Sequence, residues 1–473
     1  MYDRMQTLTK GQMTKLHDAS MDILENTGVV FNESEALKIF KKNGFKVDGK
    51  TVFFTEKDLT KALESAPARF KVTARNPEKS VIIGGDDFVF VPAYGAPFIT
   101  ASNGEQRKAT MQDYENFCKL VQTSKYIDMN GIVMVEPSDV PSETAYLDML
   151  FSNIVLCDKA FMGSTHSKKS ACDTIEMAGI VWGNKKKIKE MPVTVSLINV
   201  LTPLQFSEEM AGALIELARY SQPCVVANMV MAGASGPISL PGVLALLNAE
   251  ILAGLTLAQL VGPGTPIIYG STSTPIDMKS AAGATGAPEV PMLVSATAQM
   301  AQFYNLPSRS GGGLTDAHFP DAQAGIEAAL TLYTAARNGI NFILNSCGHL
   351  GSHMSMSYEK FIMDEELCGM IRHLLKRMEI TDENIDVEEI KSVGIGGQYL
   401  TLPKTVKLCR TGFFMTDLMN RKNYQAWSKA GSKRIDEVSS DLLARRLASY
   451  EKPETDPAIE NALSEYVTKR KNG

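Results

Sequence analysis

The chain has 473 residues, 44% of them hydrophobic, so it is long enough for one large barrel with extensions or about three average domains. Its formal net charge of −5 gives no basic surface, which excludes nucleic acid or an anionic membrane as the expected partner. The seven cysteines are odd in number and have no paired spacing, which indicates a reduced, cytoplasmic setting.

Residues 1–85 are predicted to form an N-terminal helical cap. Apolar residues recur at helical spacing from Leu8 to Leu24, Gly28 ends that run, and residues 35–42 indicate a second helix. Charged residues among the first thirty argue against a secretory signal. We expect this segment to serve in packing.

Residues 86–378 alternate between strand and helix patterns. Strands are predicted at 88–94, 129–135, 160–164, 193–200, 224–231, 266–269, 306–310 and 342–346. Helices are predicted near 111–124, 142–156, 168–183, 206–220, 240–260, 288–304, 320–337 and 356–378. Eight such units favour an α/β fold closed as a (β/α)8 TIM barrel, with a doubly wound open sheet as the alternative.

Two further features complete the predicted architecture. The most apolar helix pattern, residues 243–260, carries Asn248, Glu250 and Gln259, which favours a buried helix over a membrane span. After the barrel, an acidic run and a glycine loop lead into more helical patterns. Residues 379–473 are therefore predicted to form a C-terminal helical extension.

The polar residues that suggest chemistry follow the last two predicted strands. Arg309 ends one strand beside a glycine run, and its planar guanidinium is suited to a substrate carboxylate. His349 and His353 lie in one glycine-punctuated loop after the next strand. Barrels of this kind place their active sites in such loops.

Aromatic residues also follow predicted strand ends. The group consists of Tyr94, Phe98, Tyr269, Tyr358 and Phe361. Rings around a cavity suit a quaternary ammonium, which has no N–H to donate and binds to π faces. Each ring taken alone is also typical of a core.

Three other groups have competing interpretations. Residues 311–313, all glycine, are typical of a phosphate cradle or of a tight turn that a substrate approaches. Cys347, His349 and His353 have ligand types that suit zinc, although one histidine that faces substrate and one structural histidine explain them as well. Glu250, inside an apolar helix, is expected to be paired structurally.

Three stretches of the chain are distinctive: GGGLTDAHFPDAQAGIEA at 311–328, SYEKF at 357–361 with Asp364 and Glu365 after it, and GIGGQYL at 394–400. Together they resemble the trimethylamine methyltransferase family. Archaeal founders of that family carry pyrrolysine in the region of the glycine loop, whereas this chain has only standard residues. It therefore resembles the non-pyrrolysine branch, whose members demethylate quaternary amines.

The resemblance implies transfer of one N-methyl group from a quaternary amine to Co(I) of a corrinoid. Glycine betaine is the first choice of substrate, followed by proline betaine and carnitine. The cobamide would be carried by a separate corrinoid protein, so no metal site and no permanently bound cofactor are expected. Family analogy also indicates a homo-oligomer.

The resemblance also implies roles for the candidate residues. The five aromatic side chains would surround the ammonium head. Arg309 and His349 would address the carboxylate or a bound water, with His353 in support. Two other functions stay open: a zinc-dependent methyltransferase that activates a thiol acceptor, and a non-catalytic betaine-binding barrel.

Overall fold

The central element of the computed structural model, which describes residues 4–472, is a barrel of eight parallel strands. Met1, Tyr2, Asp3 and Gly473, which belong to the two predicted terminal segments, lie outside the described residues. The barrel strands, β1 to β8, are Val89–Phe90, Met129–Asn130, Ala160–Gly163, Thr194–Asn199, Cys224–Asn228, Ile267–Ser271, Ser308–Gly311 and Phe342–Leu344.

The sheet closes almost completely on itself. Strands β2 to β8 pair in chain order, and β8 pairs with β1 through Phe342 and Val89. Asp128 bridges the remaining seam between β1 and β2. Its N–H donates to the Phe90 carbonyl at 2.9 Å, and its carboxylate accepts from the Phe90 N–H at 2.7 Å.

Eight helices surround the barrel and confirm the predicted (β/α)8 order. They are α1 to α8: Met111–Thr123, Ala145–Leu156, Lys168–Trp182, Glu208–Arg219, Leu240–Val261, Glu289–Phe303, Ala322–Asn338 and Tyr358–Leu374. A short extra helix, Lys185–Glu190, lies between α3 and β4. Ser357 caps α8, because its hydroxyl accepts from the Lys360 N–H at 3.3 Å.

Helix α5 is long and apolar enough to cross a membrane by length and composition, yet 94% of its most apolar window is buried inside the fold. Its single acidic residue, Glu250, is paired structurally as predicted. The carboxylate accepts from Asn228 Nδ2 at 2.7 Å, from the Leu204 N–H at 2.8 Å and from Thr202 Oγ1 at 2.9 Å. Burial raises the pKa of Glu250, and these three donors oppose the rise.

The segment before the barrel contains both helices and strands, which corrects the prediction of a helical cap. Its α-helices are Lys10–Asp22, Ser34–Lys42 and Glu56–Ser65, and its strands are Val29–Phe31, Lys46–Asp48, Thr51–Phe53, Arg69–Val72 and Val81–Gly84. The three-residue strands are too short to show a period in the sequence. This segment packs on the barrel where Phe31 stacks on Phe206, with ring centroids 4.8 Å apart.

After the barrel, the chain forms Val387–Val393, Pro403–Leu408, Tyr424–Lys429, Ile435–Ala448 and Pro457–Asn472, all helices. Buried Asp173 on α3 anchors the last of them. Its carboxylate accepts from the Tyr466 hydroxyl at 2.6 Å and from Arg470 Nε at 2.8 Å. The domain boundaries at residues 85 and 378 stay predictions.

Candidate active site

Four of the predicted site residues meet at the mouth formed by the carboxyl ends of the strands. Arg309 lies on β7, Tyr94 follows β1, and His349 and His353 follow β8. The two imidazole rings have centroids 4.8 Å apart and planes at 86°. The Arg309 guanidinium lies within electrostatic range of Tyr94 and of both histidines.

A small sheet across the mouth positions His349. His349–Leu350 pairs with Ser355–Met356, and that strand pairs with Phe98–Thr100 from the loop after β1. Gly348 and Gly351 turn the loop with φ angles of +92° and +56°, which glycine adopts most readily. The first and last barrel units are thus joined beside Tyr94.

A buried ion pair holds the same loop from the side of α8. Lys360 Nζ lies 2.5 Å from Asp364 Oδ1, and their side chains are only 2% and 3% exposed. Asp364 Oδ2 also accepts from the Gly348 N–H at 2.9 Å. Burial raises the pKa of Asp364, and the Lys360 charge opposes that rise. The pair therefore positions the histidine loop.

Both histidines are neutral at pH 7. Burial lowers the pKa of His349 well below its usual range, and His353 and Lys360 lower it further. Burial, aided by the Arg309 charge, lowers the pKa of His353 to about 4, against the effect of Asp316. Neither ring nitrogen of His349, nor Nε2 of His353, makes a well-formed hydrogen bond with residues 4–472, although the Tyr94 backbone lies close enough to His349 to oppose the fall of its pKa. They are free to bind a ligand or water.

Arg309 is buried without a carboxylate partner among residues 4–472. It is 3% exposed, Nη1 donates to Thr272 Oγ1 at 3.1 Å, and Nε has no hydrogen-bond partner. Burial lowers the pKa of Arg309 to about 9, and Tyr94 opposes the shift. The guanidinium is therefore still charged at pH 7 and lacks a counter-ion. This arrangement fits an incoming carboxylate.

A cavity of about 530 Å³ lies beside these groups. Tyr94 and Phe98 line it, and so do Glu136 and Thr165, which follow β2 and β3, and Asn199, which ends β4. Glu136 is exposed, so the cavity reaches the surface. Burial raises the pKa of Tyr94 to about 12, although the Thr165 hydroxyl opposes the rise. Its phenol ring therefore stays uncharged.

Tyr269 does not reach this site, and its predicted role in a cage is wrong. Gly270 pairs with Arg309 across β6 and β7, so Tyr269, one residue earlier, points to the opposite face of the sheet. Its hydroxyl donates to Asn248 Oδ1 on α5 at 2.9 Å. Tyr269 is a buried residue of the layer between strands and helices.

Tyr358 and Phe361 also pack away from the cavity, which corrects their predicted place in the cage. The Tyr358 ring stacks on Phe117 of α1 at 4.6 Å, and its hydroxyl donates to Asp113 Oδ1 at 2.7 Å. Phe361 is fully buried and also contacts Phe117. One helical turn places both rings on the face of α8 that meets α1.

The glycine run and Cys347 also have structural surroundings. A Cβ on Gly312 would lie 2.7 Å from Leu332 Cδ1, and one on Gly313 would lie 2.7 Å from the Ser346 carbonyl, so close packing requires both glycines. Cys347 Sγ faces Cys368 Sγ, 4.0 Å away in the core. Among residues 4–472, no three His, Cys, Asp or Glu side chains are grouped to hold a metal ion.

Glu136, Thr165 and Asn199 line the cavity but were not among the residues predicted from the sequence. Glu136 and Thr165 follow correctly predicted barrel strands and Asn199 ends one, so the rule that singled out Arg309 and His349 applies to them equally. Glu136 and Asn199 have no glycine or histidine next to them in the sequence, whereas Thr165 is followed directly by His166, which also lines the cavity. Position at the end of a strand was the available signal for all three residues, and His166 was an additional signal for Thr165.

Comparisons with known proteins extend over the whole chain. A family model described as trimethylamine methyltransferase (MTTB) matches residues 1–473. A glycine betaine methyltransferase of Desulfitobacterium hafniense (strain Y51) is 46% identical, covering 98% of this chain and 96% of the relative. A proline betaine:corrinoid methyltransferase of Eubacterium limosum is 32% identical, covering 96% and 95%.

A solved structure supports the fold. The Methanosarcina barkeri monomethylamine methyltransferase superposes with a TM-score of 0.52 and 12% sequence identity, covering 95% of this chain and 90% of that one. At this identity the likeness bears on architecture alone. The family match and the relatives together establish that this chain is an enzyme, a methyltransferase, and that it belongs to the trimethylamine methyltransferase family.

Proposed function

We propose that this enzyme transfers one N-methyl group of glycine betaine to Co(I) of a corrinoid carried by a separate protein. The relative that is 46% identical is named a glycine betaine methyltransferase, and another relative is named a corrinoid methyltransferase. The cobamide is then a substrate that arrives with its carrier. Seven free cysteines are compatible with the proposed cytoplasmic setting.

The observation that carries the choice of substrate is the unpaired charge of Arg309. A cation that is 3% exposed without an acidic partner among residues 4–472 is costly to bury. A substrate carboxylate supplies the missing charge through two parallel hydrogen bonds. Trimethylamine has no carboxylate, so this residue favours a betaine. His349 and His353 offer neutral nitrogens to the same carboxylate or to a water beside it.

The quaternary ammonium end would lie in the neighbouring cavity. Tyr94 and Phe98 give it π faces, and the exposed Glu136 carboxylate adds a negative charge to a lining that also contains the Lys108 cation. The predicted cage of five rings is thus reduced to two rings and one carboxylate. Tyr94 lies between the two subsites, within electrostatic range of both Glu136 and Arg309.

The reaction needs little acid–base chemistry from the protein. Co(I) supplies the electron pair of the new Co–C bond. The electron pair of the broken C–N bond stays on nitrogen. The product is therefore dimethylglycine, in which the nitrogen is a neutral tertiary amine and the carboxylate is unchanged. The work of the chain is to fix the carboxylate, align the C–N bond with the cavity opening and exclude water. A cavity that reaches the surface is open to the carrier protein.

An anaerobic assay with reduced corrinoid protein tests the proposal by following the cobalt spectrum. The wild-type enzyme should methylate cobalt with glycine betaine and not with trimethylamine. Arg309→Met should lower kcat/KM for glycine betaine at least about thirtyfold, because loss of one partner of a buried charge pair costs about 2 kcal/mol or more. Turnover of tetramethylammonium, which has no carboxylate, should change little.

Three results would contradict this assignment. Trimethylamine turnover at the glycine betaine rate would remove the preference for a quaternary amine. If Arg309→Met lowered turnover of glycine betaine and of tetramethylammonium equally, the role of Arg309 would be structural rather than carboxylate binding. Binding of glycine betaine without any methylation of cobalt would favour the non-catalytic barrel.

A further inference from the structure

No residue from 372 to 417 is buried, although both flanking residues, Ile371 and Leu418, are. The chain leaves the fold after α8 and returns some forty residues later. We call residues 376–413 of this segment the arm. Its ion pairs, Lys404 with Asp386 and Lys391 with Glu388, lie within the arm itself.

The arm exposes far more apolar surface than its length explains. Eleven of its large apolar side chains are 41–110% exposed: Met378, Ile380, Ile385, Val387, Ile390, Ile395, Tyr399, Leu400, Val406, Leu408 and Phe413. An aromatic side chain has roughly 150–250 Å² of surface and the nine other side chains have less, so their exposed parts together present on the order of 700–1,000 Å². The largest apolar patch on a typical monomer is about 300–600 Å². A stable interface buries about 800 Å² per partner.

The two arm helices cannot be stable alone. Val387–Val393 has seven residues, Pro403–Leu408 has six, and neither contains a buried residue. Isolated helices shorter than about 12–15 residues are marginal in water, and most helical stability comes from packing an apolar face. The arm therefore needs a second surface.

We propose that a second copy of this chain covers the arm and forms a permanent interface with it. A corrinoid carrier must leave in each catalytic cycle, and transient interfaces are typically smaller and more polar. A surface as apolar as the arm instead suits an obligate contact between copies. This inference stands independently of the proposed methyl transfer.

The charges of the arm fit an interface with its own copy. Residues 379–389 carry six acidic side chains, and residues 404–410 carry Lys404, Lys407 and Arg410. In a two-fold contact, a patch meets the same patch of its partner in reverse order. Lys404 pairs with Asp386 inside its own arm, so the charges that can face the acidic part of the other arm are those of Lys407 and Arg410.

Sedimentation of the full chain at micromolar concentration tests the interface. The wild-type protein should sediment as two or more copies, and the double variant Ile380→Glu, Ile395→Glu as a monomer of 51.5 kDa. Ile238→Glu is a matched control, because Ile238 lies outside the arm and is 68% exposed, against 75% for Ile380. It should keep the wild-type mass.

A monomeric wild-type protein, or an arm variant that keeps the wild-type mass, would overturn the proposal. So would arm amides that gain protection from hydrogen exchange only when the corrinoid protein is added. If the double variant fails to fold, the milder pair Glu388→Lys, Glu389→Lys gives the same measurement. It should weaken self-association at least tenfold, and unchanged association would count against the interface.

Discussion

Arg309, His349 and His353 together present buried nitrogen atoms that make no well-formed hydrogen bond with residues 4–472. An unmade hydrogen bond at a buried group typically costs about 1–3 kcal/mol. Three such residues within one cluster are therefore poor choices for stability alone. Their arrangement is explained if a ligand completes the hydrogen bonds, which is why they define the site better than the aromatic residues do.

The neutral state of His353 makes the fold sensitive to acid. Its pKa is about 4 in the folded protein and about 6.5 when unfolded, so between these values the unfolded state binds more protons. Stability from this group is complete above about pH 6.5 and falls as the pH decreases toward 4. At pH 5 the loss should be about 2 kcal/mol. Urea unfolding of His353→Gln should show a smaller decrease from pH 8 to pH 5 than the wild type.

The comparison of two pH values separates this effect from the cost of the substitution itself. At pH 8 the imidazole is neutral in both states, so any difference between variant and wild type there reflects lost packing or hydrogen bonding. A variant that loses as much stability as the wild type on acidification would show that His353 is not held neutral by burial.

At the scale of single residues, the sequence predicted Arg309, His349, His353, Tyr94 and Phe98 at the mouth. It failed for Tyr269 because the face of a strand residue depends on register with its neighbour. Once Gly270 pairs with Arg309, Tyr269 must point outward. It failed for Tyr358 and Phe361 because the spacing of apolar residues shows which side chains share one face of a helix, but not which neighbouring element that face packs against.

Among the elements, the contact that holds the site in place is the one between α8 and the loop after β8. Lys360→Met leaves Asp364 buried without its counter-charge, and removal of one partner from a buried pair destabilises by about 3–5 kcal/mol. Asp364 would then take up a proton, so the Gly348 N–H would no longer donate to a charged carboxylate. Chemical denaturation should report the lost stability, and KM for glycine betaine should rise because His349 is less firmly positioned.

An exposed pair provides the comparison. Lys433 and Asp441 have side chains that are 48% and 53% exposed, so Lys433→Met should cost less than about 1 kcal/mol. If both substitutions had equal effects on stability, the Lys360 pair would contribute no more than a surface contact. A loss of stability with unchanged KM would separate folding from positioning.

The barrel units were predictable as elements because long apolar runs alternate with helical periods. The small strands were not. Residues 46–53 form a hairpin whose two turn residues are Gly49 and Lys50, because Asp48 pairs with Thr51. Glycine with a φ of +57° at the first turn position is a signal of two-residue turns that a search for helical periods overlooks. The sheet over the mouth pairs residues 98–99 with 355–356, and no local pattern encodes a contact over such a separation.

For the whole molecule, closure of the barrel decides which distant segments become neighbours. The last helix, Pro457–Asn472, packs against α2 and α3 through Asp173, which is 1% exposed. Asp173 also accepts from the Tyr146 hydroxyl at 2.6 Å, and Tyr146 lines the cavity. Arg470, Tyr466 and Tyr146 together hold the pKa of this carboxyl below its usual value, despite burial. The chain terminus is thus connected to the site through one carboxylate.

Arg470→Met tests this connection at long range. Loss of a partner from a buried pair costs about 3–5 kcal/mol, and we expect roughly 2 kcal/mol here because the Arg470 side chain is 27% exposed. KM for glycine betaine should rise modestly as Tyr146 loses a firmly held acceptor. Lys471→Met is the matched control on the same helix, because its pair with Asp148 is partly exposed on both sides, and it should cost less than about 1 kcal/mol. Equal losses of unfolding free energy in urea for both variants would show that the Arg470–Asp173 pair contributes no more than a surface contact. A larger loss in Arg470→Met than in Lys471→Met would place the last helix among the elements that shape the cavity.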